Sequence, residues 1–124
     1  MKKLLIVFSF ICIGALFTFC THDSTGTADL PTVCFQNEVL PIFQNNCTMS
    51  GCHGSDGRNL KLTNYSEIMR EVTPGKPKQS NLYTAITNAW SPMPPSPHKP
   101  LSQNQRTTVF VWILQGANET TCSK

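Results

Sequence analysis

The sequence predicts an all-α fold, and three observations support this prediction. Apolar residues recur at helical spacing in four segments, three of these segments begin with capping signals, and no segment alternates apolar and polar residues as a strand does. The chain has 124 residues, nine prolines and six cysteines, which is enough for one small domain. That length excludes multidomain enzymes and doubly wound α/β folds.

The first helix is predicted over residues 37–46, and Asn37 is a suitable N-cap. Its apolar face has the spacing i, i+3, i+4 and is formed by Val39, Ile42 and Phe43.

The second helix is predicted from its cap Asn64, with Glu67 at the third helical position, to about residue 72.

The third and fourth helices complete the predicted bundle. Residues 80–87 give a short helix. The fourth helix has the clearest signals, since Ser102 and Gln105 form a capping box and Gly116 follows the last turn. Its apolar stripe consists of Val109, Trp112 and Ile113.

Residues 1–19 are predicted to be an export signal. Lys2 and Lys3 precede an apolar run from Leu4 to Phe19, and these 16 residues are fewer than the roughly 20 that a membrane span needs. A permanent transmembrane helix is the alternative. Removal of Lys2 and Lys3 reduces the ten basic residues to eight against seven acidic ones, so nucleic acid is not expected as a partner.

The segment that ends at Cys20 resembles the end of a bacterial lipoprotein signal, in which the cysteine is lipidated and becomes the first residue. Phe19 stands where that signal usually has a small residue, and ordinary cleavage near Ala28 is the alternative. Acylation of Cys20 would anchor the protein to a membrane. Residues 20–31 are small and polar and are predicted to be a flexible tether, which leaves residues 32–124 for the domain.

Between the first two predicted helices lies the segment Cys47-Thr48-Met49-Ser50-Gly51-Cys52-His53-Gly54. Cys52 and His53 match the end of a haem-attachment signature, in which two thiols bind the porphyrin and the histidine binds iron. The usual signature has two residues between the cysteines, whereas four separate Cys47 from Cys52 here. A Cys47–Cys52 disulfide and a zinc site are the alternatives, although no second pair of ligands at zinc spacing is present.

A methionine enclosed by prolines lies further along the chain, in Trp90-Ser91-Pro92-Met93-Pro94-Pro95-Ser96-Pro97-His98. Proline fixes φ and removes a donor, so this loop can present the thioether of Met93 at a defined position.

These motifs together resemble the class I cytochrome c family. In that family a proximal histidine lies early in the domain and a Met-Pro loop supplies the sixth ligand. The resemblance includes the helix end Val39 to Phe43 and the final segment 111–117, and it covers about residues 35–117. It implies a bundle of about four short helices around one covalently bound haem c per chain. The cysteine spacing is the one departure from the family pattern.

The resemblance also implies the roles of individual residues. Cys47 and Cys52 would form the thioether links, His53 would be the proximal ligand and Met93 the distal one, with His98 as the alternative sixth ligand. Met49 and Met69 are interpreted as packing residues. Six side chains are expected either against the porphyrin or, equally well, in an ordinary core, namely Phe43, Leu60, Leu62, Tyr65, Trp90 and Trp112.

Two cysteines remain for a disulfide. Cys34 lies before the first helix and Cys122 after the last, and the resemblance implies that these helices cross. Their outer ends would then bring the two thiols together in an oxidising compartment. Two free thiols are the alternative.

The function that follows is transfer of single electrons by a protein that is not an enzyme, since an iron with two protein ligands is closed to substrates. We expect an exported monomer in the periplasm or cell envelope, anchored by lipid at Cys20, whose partners are redox proteins. Two alternatives belong to other classes. One is a surface lipoprotein stabilised by zinc or a disulfide, and the other is a haem sensor of small ligands.

Overall fold

The computed structural model describes residues 30–56 and 60–122. Within these ranges it contains four α-helices and no strand, which confirms the predicted all-α fold. We number the helices α1 (Leu40–Asn46), α2 (Tyr65–Ile68), α3 (Asn81–Thr87) and α4 (Gln103–Leu114). A π-helical turn, Phe35–Val39, leads directly into α1, and two 3₁₀ turns, Met69–Glu71 and Pro77–Gln79, lie between α2 and α3.

The start of the first helical segment differs from the prediction. The chain becomes helical at Phe35 rather than after Asn37, because the backbone N–H of Cys34 is bound by the Glu38 carboxylate at 2.7 Å. The Asn37 side chain does not cap the helix and instead donates to the carbonyl of Cys122 at 3.2 Å. A contact with the C-terminal segment therefore replaces the predicted local cap.

The caps predicted for α2 and α4 are confirmed. The Asn64 side chain accepts from the N–H of Glu67 at 3.1 Å. Ser102 accepts from the N–H of Gln105 at 3.2 Å, and the Gln105 side chain accepts from the N–H of Ser102 at 2.8 Å. Gly116 has φ +100° directly after α4, a conformation that favours glycine and ends the helix.

Ser80 precedes α3 and fixes the turn before it. Its side chain is fully buried, donates to the carbonyl of Lys76 at 3.0 Å and accepts from the N–H of Thr73 at 2.9 Å. The hydroxyl does not cap α3, although the segment starts where the sequence predicts. A buried hydroxyl with both partners satisfied holds residues 73–80 in place.

The core joins the first helical turn to the last helix. Phe35 is wholly buried, with its ring centroid 5.3 Å from that of Trp112 and 5.1 Å from that of Tyr65. Tyr65 also donates to the carbonyl of Ala117 at 3.0 Å. Burial of each such side chain stabilises the fold by about 1.5–3 kcal/mol. The predicted stripe of α4 is buried as expected, namely Val109, Trp112 and Ile113.

A disulfide joins Cys34 to Cys122, the pair that the sequence resemblance implied, with Cα atoms 5.8 Å apart. Backbone contacts support it, since the N–H of Gln36 donates to the carbonyl of Thr120 at 3.1 Å. The two ends of the domain therefore lie side by side.

The predicted export signal (residues 1–19), Cys20 and most of the predicted tether lie outside the described residues. The last two tether residues do contact the domain, because the Gln115 side chain donates to the carbonyl of Pro31 at 3.0 Å and to that of Leu30 at 3.5 Å. Among the helices of the described ranges, none has the length and apolar character required to cross a membrane.

Candidate haem-binding site

The segment from Cys47 to His53 forms a closed loop after α1. The N–H of Cys47 donates to the carbonyl of Phe43 at 2.8 Å, so the loop starts from the last turn of the helix. The N–H of Cys52 donates to the carbonyl of Met49 at 2.9 Å, and the N–H of His53 donates to that of Cys47, also at 2.9 Å. The four residues between the cysteines therefore fold into turns that bring the ends of the loop together.

Gly54 allows this loop to close. A Cβ atom at this position would lie 2.7 Å from the carbonyl oxygen of Thr48, closer than any side chain tolerates. Gly51 serves the same loop differently, since its φ of +75° lies in the region that favours glycine while the surrounding space is open. The first glycine is needed for its lack of volume and the second for its backbone conformation.

The imidazole of His53 is held by one of its two nitrogens. Its Nδ1 lies 2.9 Å from the carbonyl oxygen of Leu60, and the N–H of Leu62 donates to the carbonyl of His53 at 2.9 Å. A carbonyl oxygen can only accept a hydrogen bond, so Nδ1 is the donor in this contact, and Nε2 is the nitrogen left to bind a metal. This is the arrangement in which a histidine ligand is oriented for a metal.

The backbone of Met93 is held by a hydrogen bond to α3, which lies far along the chain from His53. Its N–H donates to the carbonyl of Ala85 on α3 at 3.0 Å. The next residue, Pro94, is buried, while the Met93 side chain remains 38% exposed. The methionine therefore stands at the edge of the domain with an anchored backbone.

These side chains face two adjoining cavities. The thiol cavity, of about 310 Å³, is lined by Asn46, Cys47, Met49, Gly51, Cys52, His53, Met93, Pro94 and Pro95. The apolar cavity, of about 180 Å³, is lined by Phe43, Cys47, His53, Leu60, Leu62, Glu71, Asn81, Leu82, Ala85, Ile86 and Met93. Cys47, His53 and Met93 line both, so the four predicted site residues share one region of the fold.

The two thiols in this region are free, and they differ in exposure. Cys47 is buried and Cys52 is half-buried. The pKa of the Cys47 thiol is raised from 9.0 to about 11. Burial is the larger cause of this increase, and the nearby Cys52 is the smaller one. Cys47 is therefore a neutral thiol at neutral pH.

The residues present fit a covalently attached haem. An imidazole nitrogen and a thioether sulfur are the donors that cytochromes use for iron, and two free thiols lie beside them. Aliphatic and aromatic side chains form most of the wall of the apolar cavity, and Glu71 and Asn81 complete it. The volume of the thiol cavity also falls within the roughly 300–1,000 Å³ that ligand sites occupy.

Three of the side chains expected either against the porphyrin or in an ordinary core do not line these cavities. Tyr65 and Trp112 pack on Phe35 in the core, because the first helical turn needs both rings to cover it. Trp90 is 97% exposed and lines neither cavity. The other three, Phe43, Leu60 and Leu62, line the apolar cavity as expected.

The structure also reveals site residues that the sequence analysis missed. Met49, interpreted as a packing residue, lines the thiol cavity, whereas Met69 packs against the core as expected. Leu82, Ala85 and Ile86 on α3 line the apolar cavity, and their i, i+3, i+4 spacing is a signal that could have identified them. The Leu60 carbonyl that holds His53 has no sequence signal, because a backbone acceptor can belong to any residue.

A separate cavity of about 460 Å³ lies between the start of the described chain and the end of α4, and it is lined by Trp112 but by none of the four predicted thioether and iron ligands. Within residues 30–56 and 60–122, no group of three or more His, Cys, Asp or Glu side chains is arranged to hold a metal ion.

The described residues form a small all-α domain in which two free thiols, an imidazole and a thioether line adjoining cavities. Residues 50–97 match the sequence model of a family described as Planctomycete cytochrome C. The match contains Cys52, His53 and Met93, whereas Cys47 and α4 lie outside it. The similarity supports a haem-binding, electron-transferring domain of the cytochrome c type, a class that carries covalent haem c and is typically exported. No curated protein and no solved structure matches the chain.

Proposed function

We propose that this protein is a monohaem c-type cytochrome that carries single electrons outside the cytoplasm through a haem iron ligated by His53 and Met93. The observation that supports this most directly is the convergence of the four site residues on adjoining cavities, with Cys52 on one and the other three on both. Two thiols for covalent attachment and two donors for iron then serve the same group.

Each residue has a separate task in this proposal. The thiols of Cys47 and Cys52 bind the porphyrin, Nε2 of His53 is the proximal ligand, and the Met93 sulfur is the distal ligand. The Leu60 carbonyl orients the His53 ring through Nδ1. When bound, a haem iron with two protein ligands supplies reversible one-electron exchange. The apolar walls exclude water and so reduce reorganisation around the site.

Met93 is preferred to His98 as the sixth ligand because of their positions. Met93 lines both cavities and its backbone is bound to Ala85. His98 is exposed, lines neither cavity and lies five residues further along the loop.

The proposed location is the cell envelope, with a lipid at Cys20 as the membrane anchor. The signal-like residues 1–19 predict export, and the Cys34–Cys122 disulfide supports an oxidising compartment. The expected partners are redox proteins that meet a monomer. The near balance of charge in residues 20–124 gives no reason to expect nucleic acid.

Covalent attachment is tested by the mass and visible spectrum of the protein, exported in a host with haem-attachment machinery. We expect haem that stays with the chain after denaturation and a sharp α-band in the reduced protein. Loss of both Cys47 and Cys52 should abolish attachment, whereas loss of both Cys34 and Cys122 should not. A colourless protein, or haem that is released on denaturation, would contradict the proposal and favour the zinc or disulfide alternative.

Iron ligation is tested with Met93→Ala and the matched control His98→Ala. Met93→Ala should lose the absorption band of the Met–iron bond, and His98→Ala should keep it. The reverse result would assign the sixth ligand to His98. Binding of carbon monoxide by the unaltered reduced protein would show an open iron and favour the sensor alternative.

A further inference from the structure

Glu71 is the one carboxylate among the described residues that line the two adjoining cavities. It is half-buried and lines the apolar cavity together with His53 and Met93. Neither cavity has a described Lys, Arg or Asp in its lining. Covalent attachment and iron ligation make no use of this carboxylate, so its place beside the site needs a separate explanation.

The backbone around Glu71 is held on both sides. Glu71 ends the 3₁₀ turn that starts at Met69, and the N–H of Val72 closes this turn by donating to the carbonyl of Met69 at 3.3 Å. Further along, the N–H of Thr73 donates to the buried hydroxyl of Ser80 at 2.9 Å. Hydrogen bonds of the neighbouring backbone therefore set the position of Glu71 in the cavity wall.

The basic side chains near this segment act on a different carboxylate. Glu67, four residues earlier, accepts from the hydroxyl of Thr63 at 2.6 Å. Hydrogen bonds from Thr63 lower the pKa of Glu67, and the charges of Lys61 and Arg70 lower it further. Lys61 and Arg70 are both exposed. The charge of Glu71 therefore belongs to a cavity whose described lining contains no Lys or Arg to neutralise it.

The other side chains around this cavity are largely apolar. Phe43, Leu62, Leu82 and Ile86 line it and are buried. A medium of low dielectric constant screens charges poorly, so two charges interact more strongly there than in water. A haem iron gains one positive charge when it is oxidised. A carboxylate in the same cavity therefore stabilises the ferric form more than the ferrous form.

We infer that Glu71 lowers the reduction potential of this protein by stabilising the ferric haem across the apolar cavity. The inference rests on the proposed electron-transfer function. The effect of Glu71 opposes that of Met93, because thioether ligation raises the potential. Glu71 thereby helps to determine which redox proteins can oxidise or reduce this one at equilibrium.

The first test is a titration of the ferric holoprotein at neutral pH with dithionite, in the presence of a redox dye of known potential. Each ferric iron takes up one electron, and dithionite is oxidised to sulfite. At a fixed ratio of reduced to oxidised dye, Glu71→Gln should have at least about a threefold higher ratio of ferrous to ferric protein than the unaltered chain. Glu71→Asp keeps the charge and should stay within about twofold of the unaltered chain.

Glu119→Gln is the matched control, because it removes the same charge at the other end of the domain. The Glu119 carboxylate accepts from the Gln36 side chain at 3.1 Å. The helical segment from Phe35 to Asn46 separates this end from Cys47 by roughly 16 Å of helix rise. Glu119→Gln should leave the ratio of ferrous to ferric protein unchanged. The absorption spectra of both forms should be the same in every variant, since no iron ligand is altered.

The second test measures the same coupling without a redox titration. Coupling between two groups is reciprocal, so a charge that favours ferric iron in the folded protein must also favour the fold of the ferric protein. Urea unfolding of the ferric and ferrous forms gives one folding equilibrium constant for each. Glu71→Gln should lower the constant of the ferric form at least about threefold more than that of the ferrous form.

The possible outcomes are distinguishable. Equal ratios in Glu71→Gln and the unaltered protein, or an equal shift in Glu119→Gln, would overturn the inference. An effect that disappears in about 1 M sodium chloride would overturn it as well, because the charge would then act through solvent and not across the cavity. Loss of the Met–iron band in Glu71→Gln would assign Glu71 to the positioning of Met93 instead. A protein without haem has no α-band in any variant, and this result would overturn the proposed function itself.

Discussion

The carbonyl oxygen of Thr48 lies 2.7 Å from the point that a Cβ atom on Gly54 would occupy. The oxygen belongs to the backbone and a Cβ atom has no torsion of its own, so no side-chain rotation can relieve a larger residue at position 54. It sets the path of the loop that contains both site cysteines and His53. The order of the proposed site therefore depends on a glycine that has no chemical role.

The first prediction follows from that contact. Gly54→Ala should lower the free energy of unfolding by about 1–3 kcal/mol, the usual cost of overpacking. It should also lower the yield of covalent haem, because the loop must shift. Gly75→Ala is the control for haem yield, since its φ of +75° also strains an alanine but the residue lies away from the loop, so it should lower stability without lowering the haem yield. An unchanged haem yield in Gly54→Ala would show that the loop adapts.

The disulfide gives a second prediction. Replacement of Cys34 by Ala together with Cys122 by Ser should lower the free energy of unfolding by on the order of 4 kcal/mol, because the bond constrains a loop of 88 residues in the unfolded chain. Urea unfolding of this variant and of the unaltered protein with and without reductant checks it. A loss below about 1 kcal/mol would mean that the unfolded chain is already compact.

The aromatic contacts of the core give a third prediction. Phe35→Ala removes the ring that touches both Tyr65 and Trp112, and it should cost about 3–5 kcal/mol of stability. Phe110→Ala is the matched control, because Phe110 is half-buried and its ring centroid lies 5.4 Å from that of Tyr83 alone. This variant should lose less stability than Phe35→Ala. Equal losses in denaturant unfolding would contradict the central place of Phe35.

A fourth prediction concerns acid. The Thr63 hydroxyl donates to the Glu67 carboxylate at 2.6 Å and lowers its pKa, with further lowering from the Thr63 N–H, Lys61 and Arg70. Ionised Glu67 therefore adds stability that is fully present above the ordinary pKa of glutamate. This stability is lost as pH falls through the lowered pKa of the folded state. The difference in unfolding free energy between the unaltered protein and Glu67→Gln should shrink over that range, and a constant difference would contradict the prediction.

The sequence predicts those features that depend on neighbouring residues. The capping box at Ser102 and the Asn64 cap form within one helical turn, so their residues identify them regardless of the rest of the fold. Asn37 satisfies the same local rule, but its side chain binds Cys122, which is distant in sequence. Tertiary contacts decide such cases, and spacing along the chain does not contain them.

The residues of the candidate site also divide into those that local sequence signals predict and those whose positions depend on tertiary contacts. Proline on both sides of Met93 and the Cys52–His53 pair are local signals, and the structure brings these residues to adjoining cavities. Trp112 fits a cofactor wall as well as a core by composition alone. Its indole N–H donates to the carbonyl of Asn118 at 3.0 Å and its ring packs on Phe35, so its place depends on the chain ends.

The closeness of Cys34 and Cys122 has a consequence for engineering. Their Cα atoms lie 5.8 Å apart, so a linker of a few residues can join the two ends of the domain. The chain can then be opened at an exposed position whose backbone makes no such contacts. For the same reason, the whole domain can be inserted into a surface loop of a host protein with little separation of the host's flanking residues.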